Sequence, residues 1–76
     1  SMGIDLREPI SREEMERFAE DTMALWRTQY MLFLKAQAQG APQGLIVEMA
    51  DVSELFRQTH ERLKNLVQFF PSENDS

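Results

Sequence analysis

The stretch Gly40-Ala41-Pro42-Gln43-Gly44 decides the fold of this sequence. It separates two long runs, 11–39 and 45–70, that contain neither Gly nor Pro and consist mostly of good helix formers. Gly40 suits the C′ position of a helix, where the backbone is often left-handed. Each run would form a helix about 40 Å long. Two helices of matched length joined by a short loop predict an antiparallel helical hairpin.

The sequence outside the hairpin predicts its limits. Ser11 is a good N-cap, and Glu14 three residues later completes a capping box. Pro9 disfavours helix immediately before it, so residues 1–10 are predicted to be an extended N-terminal arm. A proline opens the polar segment 71–76, which is predicted to be a disordered tail. The helical hairpin should therefore span one domain, residues 11–70.

Composition narrows the function classes. The chain has 76 residues, 13 acidic against 8 basic, a net charge of -5 and no cysteine. Because phosphate contacts need clustered Lys and Arg, this balance argues against a nucleic-acid partner. No apolar run approaches the roughly 20 residues of a membrane-spanning helix, so we expect no integral membrane segment. The lack of cysteine is compatible with a reducing compartment, and we expect a cytoplasmic location.

The second helix carries a regular apolar stripe. Its members follow alternating steps of four and three, which is the a/d pattern of a coiled coil. We predict that this stripe packs against the first helix. It consists of Leu45, Met49, Val52, Phe56, Thr59, Leu63, Leu66 and Phe70, and Leu55 and Val67 widen it.

The first helix has a wider apolar arc, covering roughly 200° of a helical wheel. One neighbouring helix covers only about half of such an arc, and the rest would be an unusually large exposed patch. We therefore expect a second copy to cover it, so that the fold is an all-α hairpin pairing into a four-helix bundle as a homodimer. The residues predicted at this protein interface are Phe18, Thr22, Met23, Leu25, Trp26, Tyr30 and Phe33.

A second candidate surface lies near the loop. Met31 and Val47 fall on the outer sides of their helical wheels, and Leu32 and Ile46 lie at the margins of the apolar arcs. The hairpin would bring all four to the loop end. They are predicted to form a patch that another helical protein could bind after dimerisation.

No set of residues has the pattern of a reactive centre. His60 and Glu61 are the only adjacent histidine-acid pair, and neighbouring residues on a helix point about 100° apart. With no cysteine and one histidine, a zinc site would need three carboxylates, which is unusual. Ser11 has no base nearby in the sequence and already suits a capping role. We therefore predict no catalytic residue, no cofactor and no metal ligand, and we expect the protein not to be an enzyme.

These patterns favour a protein-protein interaction module over chemistry. The expected role is a self-associating helical hairpin that acts as a dimerisation or docking domain, an adaptor or a small assembly chaperone. Two alternatives stay open. The wide apolar face could coat a lipid or hydrophobic granule surface, or the chain could be a subunit that folds only with a heterologous helical partner.

Overall fold

The computed structural model describes residues 5–72 and contains two α-helices, α1 (Arg12–Ala38) and α2 (Gln43–Val67), with no strand in that range. The helices are antiparallel and in contact. At the open end, Arg12 donates from Nη1 to the Phe70 carbonyl over 3.0 Å. Nearer the loop, Gln29 donates from Nε2 to the Met49 carbonyl over 3.3 Å. The predicted all-α hairpin is therefore confirmed, and its pairing into a four-helix bundle stays a prediction.

The start of α1 has the predicted capping box. The Ser11 hydroxyl oxygen accepts a hydrogen bond from the Glu14 backbone N–H over 3.1 Å. In return, the Glu14 carboxylate accepts one from the Ser11 N–H over 3.4 Å. Two donors at the helix start are thereby satisfied, which fixes α1 to begin at Arg12.

The end of α1 has the predicted glycine cap. Gly40 has φ +68°, in the left-handed region, and its N–H donates to the Gln37 carbonyl over 3.1 Å. The Ala41 N–H donates to the Ala36 carbonyl over 3.0 Å. These two bonds form a Schellman motif, which ends the helix and turns the chain towards α2.

The bounds of α2 differ from the predicted 45–70 at both ends. The helix begins at Gln43, with Pro42 as its N-cap, so Gly44 lies inside the first turn rather than in the loop. Glycine costs a helix about 1 kcal/mol relative to alanine but does not prevent one. The helix ends at Val67, and Phe70 follows in a turn. After Val67, the N–H groups of residues 68–70 donate to carbonyls three residues back instead of four. Pro71 also disfavours helical backbone at Phe70.

A seam of buried and half-buried residues runs along the contact between the helices, and both sides of it follow alternating steps of three and four. Its members on α1 are Arg12, Met15, Ala19, Thr22, Trp26, Gln29, Phe33 and Ala36. Its members on and just after α2 are Ile46, Met49, Ser53, Phe56, His60, Leu63, Val67 and Phe70.

The stripe predicted for α2 was half wrong. Leu45, Val52, Thr59 and Leu66 were expected in the seam and are exposed. Their places are taken by the residues one position later: Ile46, Ser53, His60 and Val67. The four remaining stripe residues are shared by both patterns, so the difference is a rotation of α2 about its axis. In this rotation Ser53 is buried, and the inward His60 gains a hydrogen bond to the Ala19 carbonyl.

The two helices make a single layer with little interior. Within residues 5–72 the buried apolar residues are Ala19, Leu63 and Val67. The Cα atoms extend over 53 × 33 × 14 Å, and the radius of gyration is 17.0 Å, against about 11 Å for a compact domain of this length. The chain exposes 6443 Å², whereas a compact monomer of this mass would expose about 4,800 Å². Much apolar surface is therefore left uncovered.

Candidate interaction surface

The seam divides the rest of each helix into two flanks. A residue that precedes a seam residue lies about 100° to one side of it, and a residue that follows lies about 100° to the other side. Two antiparallel helices in contact are related by an approximate two-fold axis that is perpendicular to the plane of the hairpin. A rotation about this axis exchanges the helices but keeps each face of the hairpin on its own side. The residues that precede the seam in α1 and in α2 therefore lie on the same face.

Shallow depressions confirm this assignment for the opposite face. One is lined by Tyr30 together with Ala50 and Arg57, each of which follows a seam residue. Another is lined by Glu16 together with Lys64, which also follow seam residues. The residues after the seam therefore share one face, which we call the polar face.

The face formed by residues preceding the seam is apolar, and we call it the apolar face. On each helix its residues form a column with a spacing of seven. The α1 column is Phe18, Leu25 and Leu32, and the α2 column is Leu45, Val52, Thr59 and Leu66, in which Thr59 is polar. Leu55 and Phe69 extend it at the outer side of α2. Every large apolar residue of this face is at least 39% exposed. These residues are Phe18, Leu25 and Leu32 on α1 and Leu45, Val52, Leu55, Leu66 and Phe69 on and after α2.

The apolar face is large enough for a stable protein contact. From the helix rise and diameter, it measures about 30 Å by about 20 Å, or about 600 Å². A single copy already reaches the upper range of the largest apolar patch on a typical monomer. Two such faces in contact would bury about 1,200 Å², which exceeds the roughly 1,000 Å² expected of a specific interface.

Charged residues border the apolar face on both sides. Each lies four residues before a position of the column that contains Phe18 on α1 or Leu45 on α2. Each is therefore about one helical turn from that position and further from the seam. The border of α1 carries Glu14, Asp21 and Lys35, and that of α2 carries Glu48 and Arg62. Of these five residues, none takes part in an ion pair within residues 5–72, where all four ion pairs join residues at most four apart. The border therefore presents both signs of charge.

The polar face is covered largely by charged side chains. Arg57 pairs with Glu54 over 2.6 Å, and Lys64 pairs with Glu61 over 3.7 Å. The hydrogen bonds from Arg57 hold the pKa of the Glu54 carboxyl below its ordinary value. Three exposed large apolar residues, Tyr30, Leu34 and Val47, lie on this face as well. Tyr30 lies beside a depression of about 220 Å³. This face has no continuous apolar column.

The residues predicted for the protein interface fall into three groups. Thr22, Trp26 and Phe33 lie in the seam between α1 and α2, where Thr22 is buried and the two aromatic residues are half-buried. Met23 and Tyr30 follow the seam and belong to the polar face, where the Tyr30 ring stacks on Trp26 with centroids 6.0 Å apart. Phe18 and Leu25 lie on the apolar face and are 53% and 52% exposed. Only the third group lies on the large uncovered surface.

The structure does not bring the predicted loop-end patch together. Ile46 is half-buried in the seam, and Leu32 belongs to the apolar face. Met31 and Val47 are exposed as expected, but they lie on the outer sides of different helices, with the hairpin between them. The four residues therefore do not form one continuous surface.

The α2 half of the apolar face was missed at the sequence level. Leu45, Val52 and Leu66 had been assigned to the hairpin contact, Leu55 had been taken to widen it, and Phe69 had been assigned to neither surface, whereas all five are exposed. The spacing of seven residues between Leu45, Val52, Thr59 and Leu66 was a usable signal. It marks a column on one side of the helix but does not say which neighbour covers that column.

His60 lies in the seam and also lines the depression of the polar face that contains Glu16 and Lys64. It is half-buried in the seam, with Nδ1 2.9 Å from the Ala19 carbonyl oxygen. Because a carbonyl only accepts hydrogen bonds, Nδ1 carries the proton and donates. Among residues 5–72, no three His, Asp or Glu side chains form a group that could hold a metal ion. No helix in that range has both the length and the apolar character needed to cross a bilayer.

The exposed large apolar side chains of this hairpin are concentrated on one of its two faces. Antiparallel helical hairpins are common, so the backbone path alone carries little information about function. No family model, no curated protein and no solved structure matches this chain.

Proposed function

We propose that this chain is a non-catalytic protein-protein interaction module that self-associates through its apolar face. Two hairpins stack with their apolar faces together and form a four-helix bundle. In this role the protein is a dimerisation or docking domain, of the kind used by adaptors and small assembly chaperones. The observation that carries the proposal is that one face of a single-layer hairpin exposes eight large apolar side chains, while the other exposes three and carries mainly charged side chains.

The composition of α2 supports burial on two sides. Its inward column contains Ser53 and His60, whereas its outward column contains Leu45, Val52 and Leu66. A hairpin that worked as a monomer would be expected to bury the more apolar column. A four-helix bundle uses both columns, because each helix there contacts two neighbours.

Charge favours a second copy over a lipid surface. Helices that lie on membranes usually carry Lys and Arg beside the apolar face. Here the border includes Glu14, Asp21 and Glu48, and the whole chain has a net charge of -5. A border with both signs of charge instead suits a protein surface with a complementary pattern.

Two matched pairs of variants test the proposal. Val52→Glu changes the apolar face, and Val47→Glu makes the same change at a similarly exposed position outside it. Leu25→Glu and Met31→Glu form the corresponding pair on α1. Sedimentation equilibrium gives the dimer dissociation constant, and circular dichroism checks the helix content.

We expect Val52→Glu and Leu25→Glu to raise the dissociation constant by at least about tenfold, because each buries two charges per dimer. The two control variants should leave it unchanged. Equal effects of Val52→Glu and Val47→Glu would contradict the assignment of the face. Vesicle binding by the unmodified chain with loss of the dimer would support the surface-coating alternative, and folding only after addition of another helical protein would support the heteromeric one.

A further inference from the structure

On the basis of the proposed self-association, we propose that four charged residues at the border of the apolar face select a second copy of this chain as the partner. The four are Asp21, Lys35, Glu48 and Arg62, and we call them the border charges. Their order along the two helices makes the apolar face complementary to itself in charge. This complementarity holds for both ways in which two hairpins can stack symmetrically.

The border charges have no ionic partner within the described part of their own chain. The four ion pairs in residues 5–72 involve other residues. All four border charges are also exposed. They are therefore available to a partner that covers the apolar face, and each would lie at the edge of that contact.

The register of the hairpin gives the height of each border charge along the helices. A hydrogen bond between the helices joins His60 to Ala19. By this register, the heights of Asp21 and Arg62 differ by about one helical turn, and the heights of the other two border charges differ by the same amount. Each helix thus carries one acidic and one basic border charge, and the acid of one helix lies near the base of the other in height.

Two hairpins can stack on their apolar faces about a two-fold axis that runs parallel to the helices. In this arrangement α1 of each copy lies against α2 of the other, and every residue keeps its height. Asp21 then lies opposite Arg62 of the second copy, and Lys35 lies opposite Glu48. Because the symmetry makes each pair twice, four pairs of opposite charge form.

The hairpins can also stack about a two-fold axis that runs across the helices, midway between the two border charges of each helix. Each helix then lies antiparallel to the same helix of the second copy. Asp21 lies opposite Lys35 of the second copy, and Glu48 lies opposite Arg62, again twice each. Both arrangements therefore pair every border charge, and neither brings two border charges of the same sign together.

This self-complementarity distinguishes a second copy from other occupants of the apolar face. An exposed ion pair adds little affinity by itself, but a partner with the wrong signs is disfavoured at four positions at once. An anionic lipid surface would meet the carboxylates of Asp21 and Glu48, which it repels. Charges that flank an apolar contact set partner choice in the same way in coiled coils.

Two complementary variants test the proposal in whichever arrangement forms. Lys35→Glu with Arg62→Glu makes all border charges acidic. Asp21→Lys with Glu48→Lys makes all of them basic. Each variant alone should dimerise at least about a hundredfold more weakly than the unmodified chain, because like charges then meet four times. An equimolar mixture should recover most of the affinity, as measured by sedimentation equilibrium, because every acid then meets a base.

Matched controls place the same charge changes on the polar face. Arg57→Glu with Lys64→Glu is the acidic control, and Glu54→Lys with Glu61→Lys is the basic control. Each control shifts the net charge by as much as the corresponding border variant, and both should dimerise like the unmodified chain. Salt at about 1 M, where the Debye length is about 3 Å, should restore dimerisation of the border variants. A folding defect would not be restored in this way, and circular dichroism checks for one.

Two charge exchanges locate the pairs. Asp21→Arg with Arg62→Asp keeps opposite charges together when α1 lies against α2 of the second copy. Asp21→Lys with Lys35→Asp keeps them together when α1 lies against α1. At least one of these double variants should have a dissociation constant within about threefold of that of the unmodified chain. A rise of about tenfold or more in both would overturn the pairing.

The outcomes for this proposal are distinct from those for the proposed function. Recovery of the dimer in the mixture supports selection by the border charges. A mixture that associates no better than either variant alone overturns it. If each border variant dimerised as tightly as the unmodified chain, self-association would stand and selection by charge would be overturned. A folded monomer of the unmodified chain at every concentration would remove both.

Discussion

The carbonyl group of Ala19 links the two helices at a point where the seam has few apolar side chains. It accepts hydrogen bonds from the Thr22 hydroxyl over 2.7 Å and from the His60 ring over 2.9 Å. Ala19 and Thr22 are themselves buried. The histidine therefore stabilises the contact between α1 and α2.

Replacing His60 should affect stability and leave assembly intact. His60→Ala removes one interhelical hydrogen bond, and we expect the free energy of unfolding to fall by about 1 kcal/mol. Urea unfolding at a fixed chain concentration measures this change. Asn65→Ala, at an exposed position of the same helix, should change little and is the control. Loss of the dimer in His60→Ala would contradict this structural role.

Trp26 and Phe18 should report on different contacts. Trp26 is half-buried in the seam, so Trp26→Ala should destabilise the hairpin by about 3 kcal/mol. Phe18→Ala, on the apolar face, should mainly raise the dimer dissociation constant. Thermal unfolding and sedimentation equilibrium of both variants separate these effects. If Trp26→Ala and Phe18→Ala weakened association equally and neither changed the stability of the hairpin, Trp26 would belong to the intermolecular interface.

At the scale of the helices, the capping box makes a testable contribution. Ser11→Ala removes the acceptor of the Glu14 N–H, and we expect a loss of about 1 kcal/mol in the free energy of unfolding. Thr28→Ala removes a hydroxyl from an exposed position within α1 and serves as the control. Circular dichroism in urea compares the two. An equal effect of both substitutions would mean that the cap does not stabilise α1.

Local sequence signals were sufficient to predict the helices and their connection. The capping box at Ser11 and the glycine at Gly40 act through backbone hydrogen bonds with neighbouring residues, so they can be read without knowledge of the partner helix. The ends of α2 were less well predicted, because Gly44 was treated as a loop residue although it lies in the helix.

The rotation of α2 could not be predicted from its own pattern. Met49, Phe56, Leu63 and Phe70 fit either choice of the second column. The column that contains Leu45 is more apolar than the column that contains Ile46. It was therefore predicted to pack against α1, on the assumption that the most apolar stripe of α2 is the one that its neighbouring helix covers. In the structure that column points outward, so both helices contribute to the apolar face. The sequence had predicted an uncovered apolar surface on α1 alone. On α1, Phe18 and Leu25 were predicted at the interface, since the width of its apolar arc exceeds what one helix covers.

At the scale of the whole molecule, stability should depend on concentration. The single chain buries few apolar side chains, and the dimer would bury the apolar face as well. Because dimerisation stabilises the folded state by mass action, the midpoint of thermal unfolding should rise as chain concentration is raised. Circular dichroism melting over about a hundredfold range of concentration measures this shift. Leu25→Glu should weaken the dependence, and Met31→Glu should preserve it.

The most direct test is the mass of the unmodified chain in solution, measured by sedimentation equilibrium over a range of concentrations. Self-association through the apolar face predicts a mass that approaches twice the chain mass of 8.9 kDa as concentration rises. The Val52→Glu variant should stay near the chain mass under the same conditions. A folded, helical chain that remains at 8.9 kDa at every concentration would contradict the account.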